Sequence, residues 1–140
     1  LVDEESNPIG LDRSSPFGAD DIVSLNQMHL PVNKQVMIHL SSKDVIHSFG
    51  IPEMRIKQDA VPGMTIPFFF TPTLTSTEFL DKIKGTLRDG MGYEIACAQL
   101  CGNAHYRMRG YVTVETETEY DSWLVEQAEY LEEEGDDDDW

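Results

Sequence analysis

Cys97, Cys101, His105 and Met108 fall within the single stretch "CAQLCGNAHYRM", which holds both cysteines of the chain. Cysteine, cysteine and histidine recur at every fourth residue, and methionine follows three further on. Such spacing lets one short, turn-rich segment bring several donors together, and Gly102 supplies backbone freedom for a tight bend. Thiolate, imidazole and thioether are soft or borderline donors, which favour copper over magnesium or calcium. A methionine closing the series does not suit structural zinc, whose sites take cysteine and histidine.

The residues alone leave four readings open. A Cys97–Cys101 disulfide needs only an oxidising compartment, but leaves the histidine and methionine spacing unexplained. A zinc site built on the C-x3-C-x3-H spacing, completed by another histidine, wastes Met108. A mononuclear blue-copper site takes two histidines, one cysteine and a weak axial methionine, and leaves one cysteine over. A site using all four side chains and a distant histidine would hold two coppers, with both thiolates shared as bridges. The distant histidine is one of His29, His39 and His47. Of these, His47 is the candidate, because "DVIHSFGIP" sets it on a strand shortly before Gly50 and Pro52.

The elements that must position these donors read as short strands. In "QVMIHL", Val36, Ile38 and Leu40 alternate on one face, as in a half-buried strand. "DVIHSFGI" and "TIPFFF" are further strands. "MGYEIAC" sets Met91, Tyr93, Ile95 and Cys97 on one face, and "GYVTVET" closes the series with Val112 and Val114. Short strands punctuated by Gly and Pro predict an all-β sandwich or barrel. Two helices interrupt it. Thr75 and Glu78 form a capping box that starts a short helix over residues 76–84, stopped at Gly85. Thr118 and Asp121 are read as a second box. Behind it Trp123, Leu124, Gln127, Ala128, Tyr130 and Leu131 form an apolar stripe suited to packing against the sheet.

With 140 residues, the chain suffices for one domain with its own core. Residues 1–25 read as an irregular segment, 26–134 as the folded domain and 135–140 as an acidic, solvated tail. No run of apolar residues is long enough to span a membrane. The opening "LVDEESNPIG" reads as the interior of a longer protein, whose targeting and anchoring segments lie elsewhere. Net charge is −16, and 13 of the 26 acids follow Arg109, after which no Lys or Arg occurs. The charge argues against nucleic acid as a partner, since phosphate contacts need Lys and Arg. A basic protein partner fits the charge.

The order "MHLPV", "DVIHSF", "IKQDAVPG" and "CAQLCGNAHYRM" resembles the copper-binding domain of subunit II of cytochrome c oxidase, over about residues 26–131. The same binuclear centre, CuA, also occurs in nitrous oxide reductase; "IKQDAVPG" and the helix bearing Trp123 and Leu124 are more similar to the oxidase. The resemblance implies a cupredoxin-like Greek-key β-sandwich with a short inserted helix and a C-terminal helix. It implies two copper ions in a mixed-valence centre. Cys97 and Cys101 would bridge them, His47 and Met108 complete one copper, and His105 and the main-chain carbonyl of Gln99 complete the other. It implies electron transfer from a c-type cytochrome to the haem of oxidase subunit I. The site of action would be the outer, periplasmic face of a bacterial cytoplasmic membrane, with the parent protein anchored and this fragment soluble. The family usually carries Glu where this chain has Gln99. That side chain also reaches a magnesium or manganese ion, for which a neutral amide is a poorer ligand. The family's tryptophan-rich electron-entry segment would lie upstream of Leu1. A copper-delivery protein is the reading from another class, but such proteins carry Pro after the second cysteine, where this chain has Gly102.

Overall fold

In the computed structural model of the chain, residues 10–98 and 109–136 are described. They divide into two units: one runs from Ser24 to Tyr120, and the other joins the two ends, up to Val23 and from Asp121.

Among the described residues, the larger unit contains seven strands. They are β1 (Gln27–Pro31), β2 (Val36–Leu40), β3 (His47–Ile51), β4 (Ile56–Ala60), β5 (Ile66–Phe70), β6 (Tyr93–Cys97) and β7 (Arg109–Glu115), with helix α1 (Ser76–Ile83) between β5 and β6. Five form one sheet in the order β1-β7-β6-β3-β4, and β2 pairs with β5 in a second. Of these strand pairs, β1 and β7 run parallel and the others antiparallel, with Leu30 opposite Val114. The core lies on one face of the large sheet: Leu30, Ile51, Tyr93, Val112 and Val114 are buried, and Val36 and Phe70 of the small sheet pack against them. Phe49 and Phe68 meet across the layers at 5.7 Å between ring centroids. This is the all-β, two-sheet architecture expected from the strand pattern, and it agrees with the cupredoxin-like fold that the resemblance implies.

Local sequence explains the elements. In β2, residues alternate between half-buried and exposed positions, so the period of two that predicts a strand is what the packing uses; β5 alternates in the same way although all five of its residues are apolar. Strands β1 and β4 lie in the motifs "MHLPV" and "IKQDAVPG", which no strand signal singled out. In β4, Ile56, Gln58 and Ala60 turn inward while Lys57 and Asp59 face solvent, so a polar residue interrupts the inward stripe. Met91, expected on the core face of β6, precedes the strand and is exposed.

Helix α1 begins as expected. The Glu78 N–H donates to Thr75 Oγ1 at 3.2 Å, and Glu78 Oε2 accepts from the Thr75 N–H at 2.9 Å. Gly85, with φ +75°, takes the left-handed turn that ends it. The second helix, α2 (Glu117–Asp136), is capped one position pair earlier than Thr118 and Asp121 predict. Thr116 N–H and Oγ1 both donate to Glu119 Oε2, at 2.9 and 2.7 Å, and the Glu119 N–H returns to Thr116 Oγ1. The overlapping sequence offers both boxes. Glutamate wins because its extra methylene lets the carboxylate reach back to the cap.

In the smaller unit, residues 10–23 form turns rather than helix or strand. Asp12 Oδ1 accepts from the N–H and Oγ of Ser14, which closes an Asx-type turn. Helix α2 continues through this unit to Asp136.

Candidate metal centre

The site stands where two neighbouring strands end. His47 opens β3 and Cys97 closes β6, and the antiparallel register sets Phe49 opposite Cys97. Side chains two apart on a strand share a face, so His47, Phe49 and Cys97 all turn to the core side. The sheet therefore joins residues that lie 50 apart in sequence, and Cys97 Sγ comes to 4.0 Å from His47 Nδ1. Two main-chain contacts hold the junction: Ser48 N–H points at Cys97 Sγ at 3.5 Å, and Ala98 N–H donates to the Ser48 carbonyl at 3.1 Å. Ser48 is fully buried, and its Oγ has no hydrogen-bond partner among the described residues.

The far side of the imidazole is held as well. His47 Nε2 lies 2.7 Å from Asp44 Oδ1, and the histidine side chain is 18% exposed against 69% for the aspartate. The hydrogen bond to Asp44 raises the pKa of His47 above the usual imidazole value; partial burial opposes this, and the neighbouring Cys97 adds to it. The same hydrogen bond, with the Val45 N–H, holds Asp44 below the usual carboxylate range.

Of the six expected ligands, the structure brings together His47 and Cys97. Gln99, Cys101, His105 and Met108 lie outside the described residues. The other two candidate histidines are elsewhere: His29 Nδ1 sits 3.0 Å from Glu115 Oε2 beside the β1–β7 pair, and His39 faces solvent on β2. Among the described residues, no three of His, Cys, Asp and Glu gather as a metal cage.

The donors present fit copper. Taking the zinc distances of about 2.3 Å to sulfur and about 2.0 Å to nitrogen as a guide, one first-row ion reaches both atoms when they are up to about 4.3 Å apart. A separation of 4.0 Å meets that condition. A thiolate beside an imidazole is a donor pair that a soft or borderline ion prefers to a hard one.

Sequence reasoning missed Asp44. The signal was an aspartate three residues before the histidine, in the turn leading into β3. It also missed Glu53, whose side chain is 3% exposed and pairs with Arg88. Glu53 Oε2 also accepts from the Glu94 N–H at 3.3 Å, which fastens the turn after β3 to β6. Near the strand ends, Arg109 is neutralised by Glu94, with 3.3 Å between Nε and Oε2.

A family model described as the periplasmic domain of cytochrome c oxidase subunit II matches residues 18–116. The chain is 42% identical over 125 residues to the alternative cytochrome c oxidase subunit 2 of Bradyrhizobium diazoefficiens, covering 89% of this chain and 40% of that protein. It therefore spans about two fifths of that relative's length. The crystal structure of the periplasmic domain of cytochrome oxidase subunit II from Bradyrhizobium japonicum superposes with a TM-score of 0.60 at 26% identity, over 86% of this chain and 75% of that one. A second structure holds a mixed disulfide between a thioredoxin-like protein and subunit II of cytochrome c oxidase. It matches with a TM-score of 0.56 at 28% identity, over 75% of this chain and 63% of that one.

Proposed function

The chain belongs to the family of cytochrome c oxidase subunit II periplasmic domains, and from that premise we propose that it is the electron-entry domain of a haem-copper oxidase, holding two copper ions. Cys97 and Cys101 would be shared between the two ions, His47 and Met108 would complete one, and His105 with the Gln99 carbonyl would complete the other. Bound there, such a pair would supply one-electron redox chemistry. The observation that carries the reading is the 4.0 Å approach of Cys97 Sγ to His47 Nδ1 across adjacent strands.

The chain's own residues do three things in this account. Strands β3 and β6, fixed by the core beneath them, hold the thiolate and imidazole in place before any metal arrives. Preorganisation of this kind leaves little to rearrange when an electron enters or leaves. Ser48 offers its N–H to the Cys97 sulfur, which stabilises the thiolate the metal needs. The net charge of −16 attracts a basic donor, for which a c-type cytochrome is the fitting class. The acceptor would be the haem of subunit I, with this domain on the outer face of the bacterial cytoplasmic membrane in which the parent protein is anchored.

Copper needs both cysteines reduced. The mixed disulfide formed by a related subunit II with a thioredoxin-like protein supports the same service here, with thiol–disulfide exchange delivering the Cys97 and Cys101 thiols to the metal.

The test is copper content after titration of the reduced chain. The reading requires two ions per chain and loss of both in Cys97→Ser. One ion per chain, or two retained by that variant, refutes it.

A further inference from the structure

Asp44 stands outside the ligand set, yet it decides how His47 is presented. A carboxylate only accepts hydrogen bonds, so the ring nitrogen facing it, Nε2 at 2.7 Å, carries the proton. The other nitrogen, Nδ1, is then left with its lone pair directed at Cys97 Sγ, 4.0 Å away. Asp44 is itself held. Ser42 Oγ lies 3.3 Å from Asp44 Oδ1 and also donates to the Val45 carbonyl. Ser42 in turn is bridged to Pro62, so the turn bearing Asp44 is tied to the turn after β4. The loop is thus built to keep the carboxylate against the imidazole.

We infer that Asp44 is a positioning residue of the centre: it locks the His47 tautomer and ring orientation and, by making the imidazole a stronger donor, sets copper retention and reduction potential. The inference rests on the copper reading above. A carboxylate partner to a metal-bound histidine raises ligand basicity, and removing such a partner costs about 10–100-fold in metal affinity. The oxidised centre carries more positive charge than the reduced one, so it gains more from the stronger donor. A tenfold loss confined to the oxidised form raises a one-electron potential by about 59 mV. Asp44 is mostly exposed, so water screens its action through space and the direct hydrogen bond carries the effect.

Three variants test this: Asp44→Ala, Asp44→Asn and, as a charge control, Asp59→Asn. Asp59 is exposed on β4 opposite Ser48, one register position from His47. In the copper-free chain, nitrogen NMR of His47 reads the tautomer. Wild type shows the proton on Nε2, Asp44→Ala shows both tautomers, and Asp44→Asn, which keeps an acceptor, restores the first. After loading with copper sulfate, Asp44→Ala binds about 10–100-fold more weakly, both Asp44 variants have a raised potential, and Asp59→Asn matches wild type. An unchanged tautomer and potential in Asp44→Ala overturns the inference, as does an equal rise in potential in Asp59→Asn. If wild type takes up no copper, the copper reading fails separately, and the tautomer still decides whether Asp44 positions His47.

Discussion

Replacing Ile51 by alanine strikes the floor on which the centre stands. Ile51 ends the strand that His47 begins, it is 0% exposed, and it belongs to the central buried cluster with Leu30, Tyr93, Val112 and Val114. The change removes three methyl or methylene groups at about 0.8 kcal/mol each, or about 2.4 kcal/mol of lost burial. Neighbours from two sheets surround the site, so it cannot fully collapse, and the cavity raises the cost to about 3–5 kcal/mol. That is a large share of the roughly 5–15 kcal/mol that holds a domain folded. In urea, with a slope of about 2 kcal/mol per molar, the midpoint of the metal-free chain falls by about 1.5–2.5 M. Circular dichroism follows the transition. Ile46→Ala, five residues earlier and 48% exposed, is the control and changes stability by no more than about 0.5 kcal/mol. If Ile51→Ala loses less than Ile46→Ala, the core does not sit where the structure places it, and the argument that it preorganises β3 fails.

Three further outcomes follow from the same structure. Glu119 caps α2 through Thr116, whose hydroxyl and N–H lower the glutamate pKa, the side-chain contact most. A carboxyl whose folded pKa is depressed stabilises the fold above its unfolded pKa and loses that contribution as pH falls through the folded value. Glu119→Gln therefore flattens the stability profile on the acid side of the ordinary glutamate range; a profile unchanged from wild type refutes the cap. In the copper-loaded chain, Cys101→Ser abolishes the two-copper spectrum, whereas Met108→Leu keeps two coppers and shifts the potential, because a thioether is a weak donor; a wild-type spectrum in Cys101→Ser ends the bridging assignment. Electron transfer from a basic cytochrome slows as the Debye length falls from about 10 Å at 0.1 M salt to about 3 Å at 1 M. Stopped-flow rates of the full chain and of a version ending at Glu134 check this, and a rate that does not fall with salt in either removes electrostatic steering.

Five of the seven strands among the described residues were legible as short apolar segments between Gly and Pro, three of them through alternation. The two that were not show where local pattern stops. β4 places Gln58 inward, and β1 gains its place by parallel pairing with β7, Gln27 against Tyr111, which no neighbouring residue announces. The same limit explains the second cap: two overlapping boxes occur within six residues, and only the reach of the glutamate side chain distinguishes them. At the centre, its place on a strand made His47 the candidate over His29 and His39 and the family resemblance chose it; the β3–β6 register brings it within 4.0 Å of Cys97. Asp44 was hidden because its contact depends on how a turn folds back on the histidine it precedes. Gln99, Cys101, His105 and Met108 rest on the motif and its family resemblance.

The most direct test of the central claim is an electron paramagnetic resonance spectrum of the oxidised, copper-loaded chain. Both thiolates, His47, His105 and Met108 find use together only if two coppers share one unpaired electron. The account predicts hyperfine coupling to two nearly equivalent copper nuclei, with two copper ions bound per chain. Hyperfine structure from one isolated copper nucleus, with a single ion bound, would contradict it.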